Sequence, residues 1–145
     1  MVKIPIEINQ ERLVLVVVLH VEGARGFPFL RTSLIVDTGA PFTLISSVDF
    51  KRLNLPISIL NYRNHTKIGG CTVECSTMNR RTQLSLKDLD GKQVSFNFAD
   101  FAFIKPRDAM TDTLPGLLGV DFLRVNKLRL FFSPTENIAY LESLD

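Results

Sequence analysis

The sequence predicts a mostly-β fold, a closed or strongly curled barrel of short strands with one or two short helices. A β-branched run over Leu13–Val21 is typical of a strand buried on both faces. Asp90-Gly91 and Gly69-Gly70 each separate two strand-like arms, which is the pattern of β-hairpins. Only residues 46–53 and 120–126 have the spacing and capping residues of helices.

The first half of the chain alternates strands with turns. Ile4, Ile6 and Ile8 alternate with polar residues, which predicts a strand with one apolar face. Ser46-Ser47 is expected to cap a helix that continues through Leu53, where Asn54 and Pro56 are stop signals. The other strands predicted here are Leu13–Val21, Phe27–Val36 and Thr43–Ile45.

The second half is expected to contain three hairpins and one helix. The helix Val120–Asn126 is expected to turn Val120, Leu123 and Val125 inward. Four phenylalanines are predicted to lie in the core: Phe96, Phe98, Phe101 and Phe103. The predicted hairpins are Asn64–Met78 about its glycine pair, Leu84–Leu89 with Lys92–Ile104, and, after the polar loop Lys105–Pro115, Leu128–Phe132 with Ile138–Leu141.

Length and charge limit the classes of protein. A chain of 145 residues fits one domain, residues 1–145, with one core. Its 17 basic and 15 acidic residues are interspersed, so no nucleic-acid partner is expected. The apolar run Leu13–Leu19 is far shorter than the span of about 20 residues that a bilayer requires, and charges flank it, so neither a membrane partner nor a signal peptide is expected. The cytoplasm is the expected location.

The cysteine and histidine pattern gives no sign of a metal or a cofactor. On one extended strand Cys71 and Cys75 would lie about 13 Å apart, too far for a disulfide. No C-x-x-C and no paired histidines occur, so two reduced thiols are expected and zinc is not. His20 and His65 have no partner motif and are interpreted as ordinary strand residues.

A carboxylate follows the apolar run Leu34-Ile35-Val36, where ionisation is costly. Asp37 must therefore be held by hydrogen bonds or share its proton with a second acid. Thr38 offers a hydroxyl, Gly39 permits a close backbone approach, and the amides of Gly39 and Ala40 can donate to the carboxylate. These are the groups that an acid needs to activate water, although an isolated D-T-G is more typical of a plain turn.

Asp37-Thr38-Gly39-Ala40 after an apolar run resembles the active-site loop of retroviral-like, or retropepsin-type, aspartic proteases. Leu117-Leu118-Gly119 before a short helix resembles the segment that braces this loop from beneath in that family. Ile68-Gly69-Gly70 lies between them and resembles the tip of the flap that closes over bound peptide, although a simple hairpin turn has the same pattern. The resemblance spans most of the chain and implies the closed acid-protease β-barrel.

The resemblance also implies the assembly and the chemistry. The chain has one D-T-G and about half the length of two-lobed acid proteases, so the second aspartate would come from another copy in a homodimer. The pair of Asp37 carboxylates would hold one proton and activate water against an extended polypeptide, with no metal or cofactor. One or both of the strand-like ends, Met1–Ile8 and Ile138–Leu144, are expected to add to the dimer contact.

Two positions depart from the retroviral pattern. Viral enzymes usually carry an acid after D-T-G-A and an arginine after the later glycine, and these form an ion pair near the dimer contact. Pro41 and Val120 occupy the two positions here. Because both charges are missing together, no buried charge is left unpaired, and the fold is expected to form.

Other interpretations remain open. Asp121 is either an acid behind the site or a first-turn residue favoured by the helix N-terminus, and it is not included in the predicted site. A non-proteolytic dimerisation or binding module with the same fold is the alternative function. A latent protease that dimerises only in a longer precursor or with a partner is a further alternative.

Overall fold

The computed structural model describes residues 1–55, 60–68, 71–78, 80–99 and 101–144. Two helices occur in them, α1 (Ser47–Leu53) and α2 (Val120–Val125), with one 3₁₀ turn at Thr111–Thr113. The strands are β1 Lys3–Pro5, β2 Glu7–Asn9, β3 Arg12–Val21, β4 Leu30–Val36, β5 Leu44–Ile45, β6 Leu60–Ile68, β7 Cys71–Met78, β8 Thr82–Lys87, β9 Gln93–Phe98, β10 Ala102–Ile104, β11 Gly116–Leu118, β12 Leu128–Ser133 and β13 Ile138–Ser143.

The strands form two sheets. The large sheet has ten strands in the order β6-β7-β10-β5-β11-β4-β3-β8-β9, with β2 paired to β3, and the small sheet has the order β1-β13-β12. The large sheet curls into a half-barrel, which confirms the predicted mostly-β fold class with two short helices. In the middle of it β11 runs parallel to β4 and antiparallel to β5. This arrangement brings two distant parts of the chain together at the ends of β4 and β11.

The main core lies on one face of β3 and under the phenylalanines. Leu15, Val17, Leu19 and Val21 are buried, whereas the alternate residues of β3 are half-buried or exposed. The expectation of burial on both faces is therefore wrong, because β3 has one face on the core and the other partly open. Three of the predicted core phenylalanines are buried and the fourth, Phe96, is partly buried against them.

Helix α1 is fixed at both ends, as its sequence predicts. The Ser46 hydroxyl accepts from the Asp49 amide at 3.2 Å, and Asn54 ends the helix in the left-handed conformation with φ 48°. The loop before β4 adds a second contact, because the Gly26 amide donates to the Leu53 carbonyl at 2.9 Å. A Cβ on Gly26 would lie 2.0 Å from the Arg52 carbonyl oxygen, so only glycine fits this approach.

Two predicted strand boundaries are wrong. β4 begins at Leu30 rather than at Phe27, because the Phe27 amide donates to the Arg52 carbonyl at 3.2 Å instead of to a strand. The strand predicted over Lys92–Ile104 is two strands: β9 pairs with β8, and β10 pairs with β5 and β7.

Helix α2 differs from its prediction in the residues that it buries. Phe122 is fully buried and Leu123 is nearly so, whereas Val125 is 63% exposed. The inward face was expected at Val120, Leu123 and Val125, but Val120 is only partly buried. The reason is that Phe122 packs against Phe98, with ring centroids 5.6 Å apart, which fixes the rotation of the helix.

The predicted hairpins are present. β6 pairs with β7 through Ile68↔Cys71, β8 with β9, and β12 with β13. The tip residues of the first hairpin, Gly69 and Gly70, lie outside the described residues. The N-terminal strand β1 pairs with β13 of its own chain, and the expected contribution of the chain ends to a dimer stays a prediction. Neither described helix is long and apolar enough to span a bilayer.

Candidate active site

Asp37 lies directly after β4, where the strand leaves the centre of the large sheet. The residue is partly buried, and its Oδ1 atom accepts a hydrogen bond from the Gly39 amide at 2.9 Å. The Ala40 amide, which was expected to donate to the carboxylate as well, donates at 3.1 Å to the Asp37 main-chain oxygen instead. The turn therefore holds one carboxylate oxygen and leaves Oδ2 without a partner among the described residues.

The segment after β11 lies against this turn. The Asp37 amide donates to the Leu118 carbonyl at 3.0 Å, which extends the pairing of β4 with β11 by one residue. The Val120 amide donates to the Ala40 carbonyl at 2.9 Å. These two hydrogen bonds connect the chain on both sides of the D-T-G turn to residues about eighty positions later.

A buried side-chain network makes a third connection. Thr43 is fully buried; its hydroxyl accepts from the Gly119 amide at 3.0 Å and donates to Asp121 Oδ1 at 2.7 Å. The Thr43 amide donates to Asp121 Oδ2 at 3.1 Å, and the Phe122 amide donates to Oδ1 at 2.7 Å. Asp121 thus accepts hydrogen bonds from Thr43, six residues after Asp37, and from the first turn of α2.

Gly119 has no space for a side chain. A Cβ there would lie 2.6 Å from the Phe42 carbonyl carbon and oxygen and 2.8 Å from the Ala40 oxygen, all of them backbone atoms. The Ala40 carbonyl is held by the Val120 amide, and the Thr43 amide, next to Phe42, is held by Asp121. These backbone atoms therefore cannot move aside without breaking the network. Glycine at position 119 is therefore required for the two segments to approach each other.

A second, smaller core lies beside the turn. It contains Ala40, Leu44, Val73, Cys75, Ala102, Ile104 and Leu117. Burial, with a further contribution from the charge of Glu74, raises the pKa of the Cys75 thiol to about 11. The thiol is therefore neutral near pH 7 and unsuited to act as a nucleophile. Among the described residues no group of three or more His, Cys, Asp or Glu side chains could hold a metal ion.

The structure brings most of the predicted site residues together. Leu117, Leu118 and Gly119 lie beside Asp37 and Ala40 through the contacts above. Thr38 is exposed, and its hydroxyl makes no hydrogen bond to a described residue of its own chain. Ile68 is the last residue of β6, and Gly69 and Gly70 fall outside the described residues, so the predicted flap tip is not placed relative to Asp37.

A match to a family profile gives the class of protein. The sequence profile described as aspartyl protease matches residues 19–122. The chain belongs to the aspartyl protease family, and its fold is of the retropepsin type.

Two solved structures match the chain over most of its length. A retropepsin-like aspartic protease from Rickettsia conorii superposes with a TM-score of 0.58 at 17% identity, over 97% of this chain and 98% of that one. The retroviral protease-like domain of Ddi1 from Leishmania major gives a TM-score of 0.42 at 15% identity, over 91% and 97% of the two chains. No curated protein sequence matches the chain.

Thr43 and Asp121 also contact this site, and neither is among the site residues that the sequence predicts. The pattern around Thr43 predicts only a strand, and an acid such as Asp121 in the first turn of a helix is explained by the helix itself. The two residues are 78 positions apart, so their hydrogen bond follows from the pairing of β11 with β4 and β5. The one indication in the sequence was position, because Thr43 lies three residues after Ala40 and Asp121 lies two residues after Gly119.

Proposed function

We propose that the protein is an aspartic endopeptidase in which two copies of the chain each supply Asp37 to one site. The observation that carries the proposal is the position of Asp37: a carboxylate at the end of a central strand, oriented by the Gly39 amide. The chain contains a single D-T-G, so a pair of carboxylates requires a second chain. Membership in the aspartyl protease family supports the same chemistry.

The reaction follows from two carboxylates held a few ångströms apart. Such a pair cannot easily carry two charges, so it holds one proton between its members. The ionised member takes a proton from a bound water as the water attacks the peptide carbonyl. The protonated member hydrogen-bonds the carbonyl oxygen and stabilises the tetrahedral intermediate, and the proton then passes to the leaving amine.

Two polar groups of the active-site loop are consistent with this assembly. Oδ2 of Asp37 and the Thr38 hydroxyl have no partner among the described residues of their own chain, and Thr38 is exposed. In the proposed dimer the Thr38 hydroxyl bonds across the two-fold axis, and Oδ2 faces the shared water. Gly39, Ala40, Leu117, Leu118 and Gly119 position the loop in this proposal.

The β6–β7 hairpin has the proposed role of a flap. Its arms are nine and eight residues long, Leu60–Ile68 and Cys71–Met78, and only β7 continues into the large sheet through β10. β6 is therefore at the sheet edge. Closure of Ile68, Gly69 and Gly70 over the substrate would exclude water and would add strand-like hydrogen bonds to an extended polypeptide.

The test combines one variant with one inhibitor. Asp37→Asn has the same shape as wild type but cannot accept a proton from water, so cleavage of an unfolded protein should fall at least about a thousandfold while the thermal midpoint holds or rises. The matched control, Asp88→Asn, changes a partly exposed carboxylate in the turn between β8 and β9 and should cleave at the wild-type rate.

A peptide analogue with a hydroxyl in place of the scissile carbonyl measures the assembly. It should bind with about one inhibitor per two chains, because two carboxylates form one site. Cleavage by Asp37→Asn near the wild-type rate would refute the proposal. Binding of peptide without cleavage by the wild type would favour the non-proteolytic binding module instead.

A further inference from the structure

An apolar cleft of about 510 Å³ lies along the edge of β3 between β2 and β8, and no residue of the D-T-G turn lines it. Its floor is the stretch Val14–Val18, one wall is Ile4–Glu7, and the other wall is formed by Leu86 and Lys87 at the end of β8. The valines at positions 14, 16 and 18 are only half-buried, although β-branched side chains of this kind usually pack against a neighbour. The cleft is therefore an apolar surface that the chain itself leaves partly uncovered.

The cleft exists because β2 and β8 pair with the same edge of β3 and leave a gap between them. β2 pairs with β3 only as far as Val14, and β8 begins to pair with β3 only at Val18. Gln10 and Glu11 form a two-residue turn with positive φ, so the flanking pair Asn9↔Arg12 is hydrogen-bonded in the ladder.

Backbone hydrogen bonding alternates along an antiparallel strand. Because Arg12 is hydrogen-bonded to β2, the even-numbered residues of β3 point their N–H and C=O groups toward β2 and β8. The bond from the Glu22 amide to the Arg81 carbonyl, just beyond the strand, fits this alternation. Val16 is the even-numbered residue between the two partners. Its N–H and C=O therefore face the cleft with no strand paired to them, so one residue of a bound peptide can hydrogen-bond there.

The charges at the rim are mainly positive. Arg31 lies opposite Val18 on β4, and Lys87 lies two residues beyond Ser85, which is opposite Val18 on β8. By the alternation of a strand these side chains share the face of Val18. Both are exposed, and neither has an ion-pair partner among the described residues. Among the described lining residues Glu7 is the one acid, and it lies at the opposite end.

We propose that this cleft binds an extended segment of the substrate polypeptide that carries a large apolar side chain flanked by acidic residues. The Val16 backbone would pair with the segment, the valine face would take the apolar side chain, and Arg31 and Lys87 would meet the acids. The assignment to the substrate rests on the proposed peptidase function. Ser33, opposite Val16, is four residues before Asp37, a distance of about 14 Å along β4. A spacer of about five extended residues therefore connects the scissile bond to the cleft.

Binding is measured first, on Asp37→Asn protein so that no cleavage occurs. The probe is a fluorescein-labelled eight-residue peptide with a central leucine flanked by glutamates, followed by anisotropy. The double variant Arg31→Glu/Lys87→Glu should weaken binding about tenfold or more, because two attractions become repulsions. The control Arg25→Glu/Lys127→Glu makes the same change in net charge at exposed residues outside the cleft and should bind as the parent does.

Cleavage is measured second, on two substrates that share one scissile sequence. One substrate carries the acidic docking segment, joined through a five-residue spacer to either end of the scissile sequence. The other substrate lacks the docking segment. The wild type should show kcat/KM about tenfold higher for the longer substrate, and Arg31→Glu/Lys87→Glu should show no difference.

Three results would overturn the proposal: equal peptide binding by the charge-reversed and parent proteins, equal binding of a peptide with lysines in place of the glutamates, or an equal gain from the docking segment in both enzymes. Failure to cleave either substrate would instead overturn the peptidase function, and the anisotropy measurement would still decide whether the cleft binds the peptide.

Discussion

Thr43→Val tests the network that joins the D-T-G turn to the segment after β11. Valine has nearly the shape of threonine, so the change removes the hydroxyl without opening a cavity. Two hydrogen bonds are lost: the one from the Gly119 amide at 3.0 Å and the one to Asp121 Oδ1 at 2.7 Å. A buried donor left unpaired costs about 1–3 kcal/mol and a hydrogen bond to a charged group contributes about 1.5–3 kcal/mol.

Because Asp121 Oδ1 keeps its bond from the Phe122 amide, the loss should be about 2–4 kcal/mol rather than the full sum. Urea unfolding followed by circular dichroism measures it. Thr113→Val is the matched control, since its exposed hydroxyl donates only to the Met110 carbonyl, and its cost should stay below about 1 kcal/mol. Equal midpoints for the two variants would show that the Thr43 network does not stabilise the fold.

Two further predictions concern helix α1. Gly26→Ala should lower the thermal midpoint much more than Gly23→Ala. A Cβ at Gly26 would meet the Arg52 carbonyl, whereas Gly23 has open space around it and only an unfavourable φ of 84°. Calorimetry that ranked the two variants in the opposite order would contradict this prediction. The Lys51 ammonium first, and then the Ser47 hydroxyl, lower the pKa of Asp112 below its usual 3.8, so its stabilisation is present above about pH 4 and is lost as the pH falls through the folded pKa. The stability difference between wild type and Asp112→Asn should therefore shrink from about pH 6 to about pH 2 in urea titrations, and a constant difference would exclude this contribution.

Features set by neighbouring residues were predictable from the sequence. Ser46 and Asn54 specify the two ends of α1 through local hydrogen bonds and a left-handed conformation, and both appear as predicted. The hairpin at Asp90-Gly91 follows likewise from the conformational freedom of its turn residues, with Gly91 at φ 80°. In these cases the decisive interaction lies within a few residues.

Features set by distant residues were not predictable in the same way. The strand predicted through Ile104 divides because β10 leaves β9 to pair with β5 and β7, and no pattern within Lys92–Ile104 specifies those partners. The role of Asp121 was missed for a similar reason, since its partner Thr43 comes into contact only after β11 joins β4. Asp37 was found because a family resemblance joined two segments that local chemistry alone does not connect.

The central claim, that two Asp37 carboxylates form one site, is tested most directly by mixing subunits. Wild-type and Asp37→Asn chains are combined at constant total concentration, exchanged to equilibrium, and assayed for cleavage of one peptide. If only dimers with two intact aspartates cleave, an equal mixture should retain about one quarter of the wild-type activity, because random pairing makes about one quarter of the dimers fully wild type. Activity of about one half, falling in direct proportion to the wild-type fraction, would mean that each chain acts alone and would contradict the account.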